Sequence, residues 1–65
     1  MRILSSKEVI RRLKQDGLTL KSVEGSHHQF SHPQKSGKVT VPHPYKDLSP
    51  GTLRSIAKQS GVNLE

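Results

Sequence analysis

The chain has 65 residues, with eleven Lys and Arg against five Asp and Glu, a formal net charge of +6 and no cysteine. This length holds one domain, residues 1–65, which buries only about 60% of the surface of its unfolded chain and reaches a stability of about 3–5 kcal/mol, so a deep enclosed active site is not expected. Disulfides and thiolate metal sites are excluded, and no apolar run approaches the roughly 18 residues that cross a bilayer. Met1-Arg2-Ile3-Leu4 leads into Ser5-Ser6-Lys7-Glu8 without a signal-peptide core, so the expectation is a soluble cytoplasmic protein with no membrane partner. The excess of positive charge favours a polyanionic partner, nucleic acid above all. The basic residues are spread from Arg2 to Lys58 rather than gathered in a disordered polybasic arm.

Five elements follow in chain order. Ser5, with Glu8 three residues on, fits a capping box, and Val9, Ile10 and Leu13 mark the apolar side of a helix over 6–16, ended by Gly17 at the first position beyond the cap. Leu18-Thr19-Leu20-Lys21-Ser22-Val23 begins with the alternation of a strand, and Gly25-Ser26 supplies a turn. A second strand over 27–32 centres on Phe30, and a loop over 33–37 leads to a third strand at Lys38-Val39-Thr40-Val41. After Pro42-His43-Pro44, Ser49 and Pro50 stand as N-cap and first residue of a helix whose face is Leu53, Ile56 and Ala57, ending at Ser60 before Gly61. The expected class is α+β, in the order α-β-β-β-α, with both helices on one face of a three-stranded antiparallel sheet and the other face open to solvent.

Strand alternation then distributes the four histidines, which all fall between His27 and His43. With Phe30 pointing into the core, His28 and His32 share its side while His27, Gln29 and Ser31 take the open side. Inward Val39 and Val41 send Lys38 and Thr40 outward, and inward Leu18 and Leu20 send Thr19 and Lys21 outward. A bulge near Gly25 would exchange His27 and His28. Histidine takes and gives a proton near neutral pH, so His27 among lysines on an open basic face suits acid/base chemistry on a phosphodiester. Lys38 and Lys21 could hold the scissile phosphate, and the Gly25-Ser26 turn could bring backbone N–H groups to it because glycine has no Cβ in the way. His43 is the next candidate for proton transfer, although its two flanking prolines suit a rigid loop into the second helix. His28 and His32 read as hydrogen-bonded packing residues. They lie about 13 Å apart along a strand, too far to share a zinc ion bound at about 2.1 Å. Ser26 lacks the Gly-x-Ser-x-Gly setting of a serine hydrolase.

The run Gly25-Ser26-His27-His28-Gln29-Phe30-Ser31-His32-Pro33, then Gly37-Lys38-Val39-Thr40-Val41-Pro42-His43-Pro44, Leu48, Gly51-Thr52-Leu53, Ile56 and Lys58-Gln59-Ser60-Gly61, resembles the HicA toxins of type II toxin-antitoxin systems over nearly the whole chain. The resemblance implies a fold like that of double-stranded-RNA-binding domains, ribosome-independent cleavage of mRNA that inhibits translation, no cofactor, and neutralisation by a HicB antitoxin in a complex that masks the site. It also implies that His27, directly after Gly-Ser, is the catalytic histidine and that Gly25 supports toxicity. Many members carry tryptophan after the first helix's glycine, where this chain has Leu18. Leu64-Glu65 reads either as native sequence or as a vector-derived scar and is left out of the site. The other function class open to these residues is a non-catalytic module that holds double-stranded RNA by shape and phosphate contacts. Such modules carry a basic cluster at the start of the second helix, where this chain has Ser49-Pro50-Gly51-Thr52.

Overall fold

The protein is described by a computed structural model that covers residues 4–64. The elements run α1 (Ser6–Gln15), β1 (Thr19–Glu24), β2 (His27–His32), β3 (Lys35–Pro42) and α2 (Pro50–Ser60), and the strands form one antiparallel sheet in the order β1-β2-β3. This is the expected α-β-β-β-α arrangement. Both helices lie on one face, because Val9 and Leu13 of α1, Leu53 and Ile56 of α2, and Phe30, Val39 and Val41 of the sheet share a single buried cluster. Leu64, set aside at the sequence level, is also in this core at 1% exposure.

Local chemistry explains the helix ends. The Ser5 side chain accepts a hydrogen bond from the Glu8 N–H at 3.1 Å, satisfying one of the donors left over in the first turn. The reciprocal half of the expected capping box does not form. Glu8 turns instead to Arg11, with contacts of 3.0 and 2.6 Å, and to Arg12 at 2.9 Å, because the two guanidiniums at i+3 and i+4 offer stronger, charged donors. At the other end Asp16 is the cap, and Gly17 turns left-handed with φ of 101°. The Gly17 N–H then donates to Lys14 O and the Leu18 N–H to Leu13 O, which closes the helix and drops Leu18 into the core at 2% exposure. In α2, Ser49 caps, Pro50 stands in the first turn, and Gly61 ends the helix with φ of 73°.

The sheet departs from the expected strands in two places. Between Leu20 and Ser22 the β1–β2 register slips, so that Lys21 is an extra residue and Thr19, Leu20, Ser22, Val23 and Glu24 stand opposite Ser31, Phe30, Gln29, His28 and His27. The bulge therefore lies at Lys21 and not near Gly25, and His27 keeps its outward side. Leu20 does lie opposite Phe30, on the core side, but it remains 45% exposed, as does Val23 at 51%, because β1 is an edge strand beyond the cover of the helices. The second departure is the β2–β3 connection. It is a tight turn at Pro33-Gln34 instead of a loop over 33–37. Gly37 lies inside β3, where the register slips again between Phe30 and His32 and its φ of 90° is open to glycine without strain.

A lysine joins the far ends of three elements. Lys35 Nζ donates to Asp16 Oδ2 at 3.0 Å and to Ser60 O at 2.9 Å, linking the start of β3 to the C-terminal ends of both helices. Beside it, His32 receives the Gln34 N–H on Nδ1 at 3.0 Å and therefore directs Nε2–H to Asp16 O at 3.0 Å. His32 is the hydrogen-bonded packing residue that its side of the strand implied.

Two outcomes follow from this packing. Leu13→Ala removes a fully buried side chain and costs about 2–5 kcal/mol, comparable to the whole stability of so short a chain, so it should abolish the cooperative thermal transition that the wild type shows by circular dichroism. The Arg11 and Arg12 hydrogen bonds lower the Glu8 pKa from 4.5 to about 2. Its folded-state pKa lies below its unfolded value, so this stabilisation is complete above pH 4.5 and is lost as pH falls towards 2. In acid titrations followed by circular dichroism, Glu8→Gln should narrow its stability gap to wild type across that window, and a constant gap would contradict the assignment.

Candidate functional site

Two residues make the turn between β1 and β2. Gly25 has φ of 59°, while no non-glycine residue described has positive φ, so only the first central position of the turn is left-handed, the pattern of a type II′ hairpin. The space a Cβ would fill at Gly25 has no atom within 4 Å. The backbone is thus unobstructed on that side. His27 follows directly, exposed at the first position of β2.

Phe30 is 1% exposed, and the parity of the strand puts His27, Gln29 and Ser31 on the uncovered side. Across the sheet, Ser22 and Glu24 of β1 and Thr40 and Pro42 of β3 pair with them. The candidate cations are less close to His27 than simple alternation implied. Lys21 and Ser22 together face Gln29, which puts Lys21 about 7 Å from His27 along the sheet, and Lys38 lies near Ser31, about 13 Å away. Both are exposed.

One neighbour of His27 escaped the sequence reading. Glu24 is its direct partner across the β1–β2 pair, and side chains so paired stand about 5 Å apart at Cβ. Glu24 is exposed and, among the described residues, has no ion pair or hydrogen bond to another side chain. The signal was present in the turn. A two-residue hairpin loop makes the residues on either side of it cross-strand partners, so Gly25-Ser26 sets Glu24 against His27.

The remaining two histidines lie on the helix side. His43 packs edge-on against His28, with ring centroids 4.9 Å apart at 82°. Its Nδ1 is 2.6 Å from the hydroxyl of Ser6, a residue only 1% exposed at the start of α1. The same hydroxyl accepts the Tyr45 N–H at 2.9 Å, and the Ser6 N–H donates to Tyr45 O at 2.9 Å. The His43 N–H donates to Ser26 O at 2.7 Å. His43 therefore ties the loop after β3 to α1 and to the turn that carries His27, while its ring faces away from the side His27 occupies. The expectation that His28 would be hydrogen-bonded fails at one atom. Among the described residues its Nδ1 is buried without a hydrogen-bond partner, with the His43 ring packed perpendicular to its own. Among the described residues no three His, Asp or Glu side chains converge as metal ligands would, and no helix is long and apolar enough to cross a membrane.

Comparison with curated proteins returns no match. Among solved structures the chain is similar to a "HicA3 and HicB3 toxin-antitoxin complex", at 35% sequence identity and a TM-score of 0.76, with 95% of this chain and all of that chain covered. The family model described as the HicA toxin of bacterial toxin-antitoxin systems matches residues 6–62. That span runs from the first residue of α1 through the Gly25-Ser26-His27 turn to just past the end of α2, and the chain belongs to the HicA toxin family.

Proposed function

We propose that this toxin is an endoribonuclease that cleaves mRNA with His27 as its proton-transfer residue and is silenced by a HicB-type antitoxin. The observation that carries the reading is the position of His27, exposed on an uncovered sheet face directly after an unobstructed glycine turn, on a protein of net charge +6. In the reaction, the 2′-hydroxyl oxygen of one nucleotide attacks the adjacent phosphorus as its proton passes to a base. The P–O5′ bond breaks, the leaving oxygen takes a proton, and a 2′,3′-cyclic phosphate and a 5′-hydroxyl result. His27 serves one of these transfers. Glu24, the cross-strand partner of His27, is placed to turn its carboxylate to the imidazole and orient it once RNA is bound. Lys21 lies nearer than Lys38 for the charge that builds on the phosphate oxygens, and the N–H groups of the Gly25-Ser26 turn supplement it. His43 supports the turn through its bond to Ser26 O.

The competing reading, a module that only holds double-stranded RNA, is favoured by the α-β-β-β-α fold and the charge. The start of α2, Ser49-Pro50-Gly51-Thr52, lacks the basic cluster such modules place there.

His27→Ala should slow RNA cleavage by about 10²- to 10⁴-fold while leaving RNA affinity unchanged, with Glu24→Gln lowering kcat more than it raises KM. A substrate with 2′-deoxyribose at the scissile position should resist wild type completely. Cleavage of that substrate, or no cleavage of RNA by wild type, would remove the mechanism.

Control follows from the same openness. No lid covers the face bearing His27 among the described residues, so inhibition requires a partner laid over the sheet, and the similar solved structure is itself a toxin-antitoxin complex. An acidic surface suits the charge of this face. Addition of the antitoxin should stop cleavage and protect His27 from a histidine-acylating reagent, detected by mass spectrometry. Continued acylation of His27 in an inhibited complex would exclude steric masking.

A further inference from the structure

Where the N-terminus of α1 meets the loop after β3, a cleft of about 480 Å³ opens, lined by Ser5, Lys7, His43, Pro44, Tyr45 and Lys46. Its size is that of a small-molecule site. Tyr45 is unusual within it. Its backbone is fixed at both polar atoms, the N–H by Ser6 Oγ and the carbonyl by the Ser6 N–H, each at 2.9 Å, yet its side chain is 52% exposed. An aromatic ring held by a fixed backbone and left bare is a prepared stacking surface, because little further order is lost when a flat ligand settles on it.

The charges around the ring specify the ligand. Lys7 and Lys46 line the cleft, and neither has an ion pair among the described residues. The first turn's acid, Glu8, is occupied by Arg11 and Arg12. Asp47 lines a separate depression on the other side of Tyr45, with Pro42, Leu48 and Thr52. A flat apolar group joined to an anion is the chemistry of a nucleotide. The cleft is linked to the turn that carries His27 through one residue, since His43 lines it and donates its backbone N–H to Ser26 O at 2.7 Å.

We infer that this cleft is a subsite for one unstacked nucleotide of the RNA, its base lying on Tyr45 and its phosphate between Lys7 and Lys46. The inference rests on the ribonuclease reading and narrows its substrate, because a base inside a duplex is covered on both faces and cannot reach the ring. The strand would pass around the end of the sheet, between the helix-side cleft and the open face.

The test uses the His27→Ala protein, which leaves the RNA intact, and adds Tyr45→Ala, Tyr45→Phe or the pair Lys7→Gln and Lys46→Gln. Affinities are measured for a single-stranded oligoribonucleotide and for its duplex, and circular dichroism confirms folding. Tyr45→Ala should weaken single-strand binding by about 5- to 150-fold, the worth of one stacked base, and should leave duplex binding unchanged. Tyr45→Phe should remain within about twofold of its parent. The lysine pair should reduce the slope of log K against log salt by about 1.4 on single strands. Equal single-strand affinity of the Tyr45→Ala and parent proteins would overturn the subsite, as would equal losses on single strand and duplex. A loss confined to antitoxin binding would also overturn it and give the cleft to the protein partner. In the His27-intact protein, cleavage by wild type with unchanged kcat/KM in Tyr45→Ala removes the subsite alone, whereas wild type that neither binds nor cleaves RNA removes the ribonuclease reading and the subsite with it.

Discussion

Phe30 is buried from the middle of the central strand, and because His27 is three residues earlier on the same unbroken stretch, its side chain must leave through the opposite face. The rest of the molecule depends on this parity. A chain of 65 residues has apolar surface for one core, and both helices spend theirs on the side where Phe30, Val39 and Val41 point. The other face is left bare, and it is the face to which the proposed chemistry is assigned. The same economy that makes the domain just stable enough to fold leaves His27 uncovered.

The polar network at the base of α1 complements this core. Ser6 is buried, yet its hydroxyl and N–H are used by His43 and by both backbone atoms of Tyr45. The loop after β3, which has no regular structure of its own up to α2, is thereby fixed against the helix. Through the His43 N–H, the Gly25-Ser26 turn is fixed as well. Buried polar groups are costly unless satisfied, and among the described residues every buried side-chain nitrogen and oxygen but His28 Nδ1 has a partner. That orphan belongs to the ring packed against His43, one residue from His27, so the least comfortable atom of the described interior adjoins the end of the sheet that bears the Gly25-Ser26 turn.

Much of this was legible in the residue pattern, because it is local. Ser5 and Ser49 as caps, Gly17 and Gly61 as left-handed stops, Pro50 in a first turn, and the strand over 27–32 each follow from a few adjacent side chains. The departures in the strand boundaries are matters of pairing. A bulge at Lys21 depends on how β1 meets β2, and the tight turn at Pro33-Gln34 depends on Gly37 absorbing a register slip inside β3. Alternation alone could not show either. It also put Leu20 inside on parity, whereas exposure is decided by how far the helices reach across the sheet. Glu24 is within reach of the sequence, since a two-residue turn dictates its partner, but the alternation that marks β1 fades by Val23, one residue before the strand ends. Lys21 and Lys38 are both exposed, and their distances from His27 depend on the register.

Lys35 has a consequence that reaches beyond packing. By holding Asp16 and Ser60 O it gathers the C-terminal ends of both helices at one end of the molecule, while at the other end Leu48 N–H bonds Leu4 O and brings their starting turns together. The two helices therefore run in the same direction, and their peptide dipoles add instead of cancelling. The negative pole is partly neutralised by the Lys35 ammonium; the positive pole lies beside the loop that holds the Gly25-Ser26 turn. A polyanion at a distance thus meets an electrically lopsided particle, and a particle this small rotates quickly in the field of its target. For the RNA substrate proposed above, this field would turn the end bearing the Gly25-Ser26 turn towards the phosphate chain before any atom of the two has touched.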